Sequence, residues 1–264
     1  MTTERGGSYR VPFTRALLHP RHWGTWTGIG LLALIALLPR PVARAIGRAL
    51  GRLLPRTMSK RRRIARINLG LCFPERDAAA REALVDAHFR VVAQCFVDYP
   101  LLWFGGSRAH LRYLSAEGLD HVEALHAEGR PVIICAAHTP ALDFGGLLLA
   151  RRHGGVSFAK PMKNPVVEWI NHRSRTQYGT HIYSRAHGLR PLVRAMRAGR
   201  SCYFLPDEDL GPEHAVFAPF FGVPKATVPS LAMLARLAHA AVIPAMCLYD
   251  EAADRYVIRI DPPL

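Results

Sequence analysis

The stretch "VIICAAHTPALDFGGLLLA", residues 132–150, decides the fold. It starts as a short apolar run rich in branched side chains, which is typical of a buried β-strand. It continues as an apolar helix, for which Thr139 and Pro140 are predicted as N-cap and first-turn residues. His138 and Asp143 therefore lie where a buried strand passes into a helix.

The chain beyond about residue 75 repeats this alternation of strands and helices. Further strands are predicted at about 155–159, 181–184, 202–206, 241–249 and 255–260. Further helices are predicted at about 75–102, 118–130, 164–177, 187–199 and 229–239. Such spacing favours an α/β fold with a mixed, mostly parallel central sheet flanked by helices. Ligands bind such sheets beyond the carboxyl ends of strands, where His138 is expected.

Composition and charge limit the function classes. The chain has 264 residues, half of them apolar, and 35 Lys and Arg against 20 Asp and Glu, a formal charge of +15. This surplus indicates a polyanionic partner, namely nucleic acid, anionic lipid or an acidic carrier protein. Five scattered cysteines without a CxxC pair argue against a zinc ribbon or a disulfide framework, and favour a reducing compartment.

The N-terminal part is predicted to contact a membrane. Residues 1–22 form a basic segment that we expect to be poorly ordered. Residues 23–38 carry no charge, and as a helix they reach about 24 Å, less than the roughly 30 Å hydrocarbon core. Trp23 and Trp26 suit an interfacial aromatic belt. We predict an N-terminal membrane-anchoring helix that spans with tilt or lies in one leaflet; a buried core helix is the alternative.

A basic amphipathic helix is predicted directly after this anchor. Four arginines recur every four residues and share one helical face: Arg44, Arg48, Arg52 and Arg56. Four apolar residues form the adjoining face: Val42, Ile46, Leu50 and Leu53. With "KRRR" at 60–63, this pattern indicates a surface held against anionic headgroups, and it places the bulk of the protein in the cytoplasm. The predicted divisions are 1–22, 23–63 (anchor and basic helix) and 64–264 (main domain).

The two ionisable residues of the opening stretch suit acid–base chemistry. A carboxylate bound to one imidazole nitrogen fixes the tautomer and raises the basicity of the ring. The other nitrogen then accepts a proton from a substrate hydroxyl, as in a triad whose nucleophile belongs to the substrate. The simpler alternative is that Asp143 is favoured in a first helical turn by the helix dipole.

Several sequence blocks, in order, resemble one family. They are "INLGLCFPE" (67–75), "AAHTPALDF" (136–144), "AKPMKNPVVEW" (159–169), "YFLPDEDLGP" (203–212) and "VFAPFFGVPKATVPS" (216–230). The His-x4-Asp motif resembles the lysophospholipid acyltransferase superfamily. The combination resembles, more closely, the late (secondary) lipid A biosynthesis acyltransferases of Gram-negative bacteria.

This resemblance implies an activity and a location. A fatty acyl group would pass from acyl carrier protein to a hydroxyl of a lipid A precursor, in lipopolysaccharide biosynthesis at the cytoplasmic face of the inner membrane. His138 would be the general base and Asp143 its orienting carboxylate. The acyl thioester, on acyl carrier protein or CoA, is a co-substrate, and no further cofactor or metal is expected.

The resemblance also implies residues outside the dyad. Five would bind substrate or close the pocket near the dyad: Lys160, Arg175, Arg185, Asp207 and Asp209. Three would lie beside the acyl chain: Phe217, Phe220 and Phe221. Solvated charges, turn chemistry and core packing are the respective alternatives. The chain departs from the family at Lys160 and Glu208, where Arg and His are frequent, and it ends where relatives are expected to continue with a further tail.

Other function classes stay open at this stage. A glycerophospholipid or other glycolipid acyltransferase that uses acyl-CoA would share the dyad. A nucleic-acid-binding protein would explain the charge, but no matching motif is present, and we predict no nucleic-acid partner. His121 and His126 are spaced off a single helical face, which disfavours a zinc motif, and a Gly-x-Ser-x-Gly elbow of serine hydrolases is lacking. The oligomeric state is left undetermined.

Overall fold

The computed structural model describes residues 8–208, 211, 213 and 215–264. Contacts divide the chain into two compact units. The first unit comprises the residues up to Gly30, Leu101–Asp207 and Pro229–Leu264, and the second comprises Leu31–Pro100 and Glu208–Val228. Each unit is thus assembled from separate stretches of the chain.

The elements of the described residues alternate as the sequence predicts. The helices are α1 (Trp23–Ala36), α2 (Arg40–Thr57), α3 (Ser59–Cys72), α4 (Ala78–Phe104), α5 (Ser107–Tyr113), α6 (Leu119–Ala127), α7 (Leu142–His153), α8 (Pro165–Thr176), α9 (Arg190–Arg197) and α10 (Ser230–Ala238). The strands are β1 (Leu114–Glu117), β2 (Val132–Ala136), β3 (Gly155–Phe158), β4 (His181–Tyr183), β5 (Ser201–Phe204), β6 (Val216–Phe220), β7 (Val223–Thr227), β8 (Ala241–Asp250) and β9 (Arg255–Ile260).

A seven-stranded sheet forms the centre of the first unit. Its strand order is β1-β9-β8-β2-β5-β3-β4. Among these described strands, β8 and β9 pair antiparallel and the other neighbours pair parallel. The predicted mixed, mostly parallel sheet flanked by helices is therefore confirmed.

The opening stretch lies at the middle of this sheet. Strand β2 pairs with β8 on one side and β5 on the other, and Ile133 and Ile134 are fully buried. A strand covered on both faces must be apolar throughout, which explains the unbroken run at this point of the sequence.

Helix α7 packs closely on the sheet. The Phe144 ring stacks on the Tyr256 ring of β9, with centroids 3.7 Å apart. A Cβ atom at Gly145 would lie 2.9 Å from Cβ of Cys247 on β8, so only glycine permits this approach. The packing fixes the first turn of α7, which carries Asp143.

Three strands were not predicted. Strand β1 has only four residues, and its sequence, "LSAE", lacks a clear alternation. In the second unit, β6 and β7 form an antiparallel hairpin whose turn has positive φ at Phe221 and Gly222. Each strand of this hairpin contains a proline, and Pro219 pairs with Pro224. Because proline is uncommon within strands, the sequence does not predict the hairpin.

From residue 8 onward, the N-terminal segment is more ordered than predicted; residues 1–7 of the predicted segment lie outside the described residues. Residues Arg15–Leu18 and Pro20–His22 form two 3₁₀ helices. The Tyr9 amide donates to the Ile182 carbonyl at 3.0 Å, and Leu17 is buried. Burial of these apolar side chains on the first unit holds a segment that its charge and prolines made appear disordered.

Helix α1 contributes to the core of the first unit. Its Ile29 is buried in a cluster with Val166 and Ile170 of α8, and the Trp26 and Trp169 rings lie 5.8 Å apart. The apolar helix predicted at 23–38 ends at Ala36. Over the described residues, no helix combines the length and the apolar character needed to cross a membrane.

Helices α2, α3 and α4 belong mainly to the second unit. The buried face of α2 consists of small residues, Ala43, Gly47, Gly51 and Pro55. A Cβ atom at Gly51 would lie 2.7 Å from Cα of Arg90, so α2 and α4 approach closely. The apolar side chains predicted on α2 include Val42 and Leu53, which remain exposed. Arg62 and Arg66 of α3 bind Glu82 of α4.

Candidate active site

Two parallel neighbours, β2 and β5, bring the central residues of the site together. Their last paired residues are Cys135 and Phe204. His138 and Asp207 each follow three residues later, so they leave the same edge of the sheet side by side. The proximity of these residues is a direct consequence of the strand register.

Asp207 binds both the backbone and the ring of His138. Its Oδ2 accepts the His138 backbone N–H at 2.8 Å, and its Oδ1 lies 2.7 Å from His138 Nδ1. When Nδ1 donates to this carboxylate, the neutral imidazole keeps its lone pair on Nε2. The His138 side chain is 48% exposed, which leaves the ring accessible to a substrate.

This contact differs from the prediction, which paired His138 with Asp143. In the structure, Asp143 accepts two hydrogen bonds from Arg175, from Nε at 2.8 Å and from Nη2 at 3.0 Å. Asp143 lies in the first turn of α7 and Arg175 in the last turn of α8, and the planar guanidinium matches the carboxylate. The ring nitrogen Nδ1 of His138 thus contacts Asp207, and Asp143 binds Arg175; the orienting role predicted for Asp143 stays a prediction.

The loop between His138 and α7 is held to the sheet by Thr139. Its hydroxyl donates to the Cys247 carbonyl of β8 at 2.7 Å. Helix α7 begins at Leu142 with Ala141 at the N-cap position, so the predicted capping role of Thr139 is wrong. Thr139 instead fixes the loop that carries His138, a role that depends on a residue more than a hundred positions away.

Burial keeps the neighbouring weak acids protonated. It raises the pKa of the Cys135 thiol, an effect that Asp207 reinforces. It raises the pKa of Cys247 to about 12, and it raises that of Tyr203 well above its usual range. A thiol that stays protonated at neutral pH is a poor nucleophile. Of the groups named at this edge, the accessible imidazole of His138 is therefore the candidate base.

The other predicted substrate-binding residues are Lys160, Arg175, Arg185 and Asp209. Lys160 and Arg185 are exposed, and each follows a strand of the first unit, β3 or β4, at its carboxyl end. Arg175 is held by Asp143 as described above. Asp209 lies outside the described residues.

The predicted acyl-chain residues belong to the second unit. Phe217, Phe220 and Phe221 are 65%, 51% and 54% exposed. The Phe221 ring contacts Phe73 and Phe220, with centroids 5.2 and 4.8 Å away. These aromatic residues lie on the β6–β7 hairpin and its turn, and their contact with an acyl chain stays a prediction.

His121 and His126, whose spacing disfavours a zinc motif, both lie on α6. The His126 ring stacks on His153, with centroids 4.1 Å apart, and its Nε2 shares a hydrogen bond with the Ser201 hydroxyl at 2.8 Å. His121 lies on the first turn of the same helix, α6. The His126 ring is thus half-buried between His153 and Ser201.

Known proteins similar to this chain are acyltransferases. The lipid A biosynthesis myristoyltransferase of Escherichia coli (strain K12) is 34% identical over 268 residues, which cover 100% of this chain and 82% of that protein. The palmitoleoyltransferase of the same organism is 32% identical over 96% of this chain and 82% of its own length. The lauroyltransferase is 33% identical over 88% of this chain and 76% of its own length.

These relatives define the protein as an acyltransferase. Residues 10–264 also match the family described as "Bacterial lipid A biosynthesis acyltransferase". The chain belongs to this family, as its sequence blocks predict.

Proposed function

We propose that the protein transfers a fatty acyl group from acyl carrier protein to a hydroxyl of a lipid A precursor, in lipopolysaccharide biosynthesis. Family membership supports the lipid A-type acceptor. The contact between His138 and Asp207 carries the mechanism, because it supplies an oriented base with an accessible nitrogen. The donor, the base and the location are parts of this proposal.

In the proposed reaction, His138 Nε2 takes the proton of the acceptor hydroxyl. The hydroxyl oxygen attacks the thioester carbonyl carbon, a C–O bond forms and the C–S bond breaks. The departing thiolate then takes the proton from Nε2, so the products are an ester and a free thiol. Asp207 holds Nδ1–H throughout and stabilises the imidazolium that forms. The thioester supplies the activation, and the proposal requires neither a metal nor a nucleotide.

Cations near this edge suit a phosphorylated acceptor. Lys160 and Arg185 are exposed and follow strands whose carboxyl ends lie at the same edge as His138. Arg175 is held rigidly by Asp143, so its guanidinium has a fixed direction. We assign Lys160 and Arg185 to binding of anionic head groups, and Arg175 to support of the loop region near the base.

The second unit supports a membrane location. This unit exposes large apolar side chains at Leu31, Leu34, Leu37, Val42, Leu53, Ile64, Ile67 and Leu71. Those on α2 and α3 alternate with arginines. Exposed apolar side chains with flanking cations bind anionic lipid surfaces. We propose that this unit holds the enzyme at the cytoplasmic face of the inner membrane.

The test is an assay of acyl transfer in vesicles. Purified protein is given a lipid A precursor and either an acyl carrier protein thioester or the matching CoA thioester, and the acylated lipid is identified by mass spectrometry. Wild type is expected to acylate the lipid A precursor from the carrier protein, and His138→Ala to abolish transfer.

His121→Ala is the matched control, because it removes another imidazole of the first unit and is expected to retain activity. Circular dichroism verifies that all variants are folded. Acylation of glycerophospholipid alone would show that the proposed acceptor is wrong, and transfer by His138→Ala near the wild-type rate would show that the base is wrong.

A further inference from the structure

The first unit has an open groove between α9 and α10. The lining of this groove includes neither His138 nor Asp207. Its volume is about 820 Å³. It is lined by the segment that precedes α9, by one face of α9, and by Met233 and Leu237 of α10. None of these residues takes part in the chemistry proposed above.

The groove combines an apolar floor with a cationic rim. Leu189, Val193, Met233 and Leu237 supply the apolar surface, and the last two are about half exposed. Large apolar side chains exposed together in a concave surface are typical of an interaction site.

The rim of the groove comes from a single face of α9. Arg190, Arg194 and Arg197 follow the spacing i, i+4 and i+7, and all three side chains are exposed. The opposite face of the helix, with Leu192 and Met196, is buried in the core. The three guanidinium groups therefore line the groove in a row along the helix axis.

The groove begins at the same sheet edge as the base. Ala186–Leu189 follow the carboxyl end of β4, and α9 then returns toward the start of β5. Because β4 and β5 both run parallel to β3, the first turn of α9 lies at the edge that carries His138 and Asp207. At the other end, Arg197 Nη2 donates to the Leu237 carbonyl at 3.0 Å.

We propose that this groove is the docking surface for an acidic amphipathic helix of a protein partner, and that this partner is the carrier protein that delivers the acyl thioester. This assignment rests on the proposed function. A helix that lays its apolar side into a groove and its carboxylates against a row of arginines satisfies both features of the surface. A flat lipid surface would pair with the arginines but would leave the concave apolar floor unfilled.

The test compares binding of labelled acyl carrier protein to two charge-reversal variants. Arg190→Glu/Arg194→Glu changes the groove. Arg108→Glu/Arg130→Glu is the matched control, because it makes the same change in net charge at two exposed arginines outside the groove. The groove variant is expected to raise the Kd on the order of 10-fold or more, and the control variant to keep a Kd near that of wild type. The Kd of wild type is expected to rise with salt concentration.

A second pair of variants tests the apolar floor without changing an arginine. Met233→Asp places a carboxylate in the groove, and Ala232→Asp places one on the same helix outside it. Only Met233→Asp is expected to weaken binding. Thermal unfolding verifies that all four variants are folded. If a double arginine variant does not fold, the comparison of Met233→Asp with Ala232→Asp, both at exposed positions, tests the docking surface by itself.

The outcomes separate this proposal from the proposed function. If wild type transfers acyl groups and both charge variants bind the carrier protein equally, the groove is not its docking surface while the function stands. If wild type transfers acyl groups only from CoA and does not bind the carrier protein, the donor in the proposed function is wrong as well. If the groove variant loses binding to phosphatidylglycerol vesicles and keeps binding to the carrier protein, the groove binds lipid instead.

Discussion

Asp207 holds His138 at two points, the backbone N–H and the ring Nδ1, at 2.8 and 2.7 Å. The two residues are 69 positions apart in the sequence and meet because their strands are parallel neighbours. A carboxylate that binds both groups limits the rotation of the ring and sets its tautomer. The orientation of the candidate base therefore depends on the end of β5, outside the His-x4-Asp motif itself.

We expect Asp207→Asn to reduce the rate of acyl transfer on the order of 10² or more. The asparagine amide can present an N–H to Nδ1 and thereby favour the wrong tautomer of His138. Single-turnover kinetics with saturating donor and acceptor measure the effect. Asp143→Asn is the comparison and is expected to reduce this rate less. A larger loss in Asp143→Asn than in Asp207→Asn would contradict the assignment of Asp207 as the orienting residue.

The ion pair between Asp143 and Arg175 should contribute to stability. Both side chains are mostly buried, at 16% and 28% exposed. Removal of either charge by Asp143→Asn or Arg175→Gln is expected to lower the free energy of unfolding by about 2 kcal/mol, because the remaining charge loses two charge-assisted hydrogen bonds. Denaturant unfolding measures the single and double variants.

The double variant is expected to lose clearly less than the two single variants added together, since both remove the same interaction. If the losses in the free energy of unfolding were strictly additive, Asp143 and Arg175 would not stabilise one another. The role assigned to Arg175 in supporting the loop region near the base would then be contradicted.

Gly145→Ala should disturb the site through packing. The added Cβ would meet Cβ and Sγ of Cys247 at 2.9 and 3.1 Å, which forces α7 away from β8. We expect a loss of about 1–3 kcal/mol in the free energy of unfolding, with lower activity. The matched control is Gly146→Ala, whose Cβ would make ordinary contact with the Tyr203 ring at 3.4 Å. That control should be neutral or stabilising, and equal effects of the two substitutions would argue against the close packing.

Stability should fall in mild acid because two stacked histidines, His126 and His153, are half-buried. Burial lowers the pKa of His126, which His153 reinforces, and burial also lowers the pKa of His153, where Arg152 and Glu123 have opposing effects. A lowered pKa in the folded protein means that the unfolded chain binds protons first as the pH falls. The contribution of these rings to stability is therefore full above the ordinary histidine value of about 6.5, and it is lost as the pH falls through the lowered values.

Thermal unfolding between about pH 5 and 8 measures this dependence. The double variant His126→Asn/His153→Asn is expected to show a shallower fall of the melting temperature below about pH 6.5. Some pH dependence should remain, because burial also lowers the pKa of His110 and His172. An unchanged profile would show that the stacked pair does not control acid stability.

Much of the fold was predictable from the sequence because its signals are local. The apolar runs of β2, β5, β8 and β9 predict buried strands, and helical periodicity between them predicts the covering helices. The β6–β7 hairpin was missed, since its prolines contradict the usual strand composition. The order of the N-terminal segment was missed as well, because burial of Tyr9 and Leu17 depends on partners far along the chain.

The candidate site was predictable in its residues but not in its contacts. His138, Asp143, Arg175 and Asp207 were all named from sequence, and the structure pairs them differently from the prediction. A clue was present, since "CYFLPDED" is a buried strand followed directly by carboxylates. Its use required the knowledge that β5 lies beside β2, and strand order cannot be read from a single sequence.

The sequence by itself determined the family, the α/β class and the position of a histidine at the carboxyl end of a buried strand. Local composition is sufficient for these, because apolar periodicity and short motifs act over a few residues. Only the tertiary structure decided that Asp207 binds His138, that Arg175 binds Asp143, and that a row of arginines on α9 borders an apolar groove. These depend on which strands and helices become neighbours, and the packing of the whole core selects those neighbours.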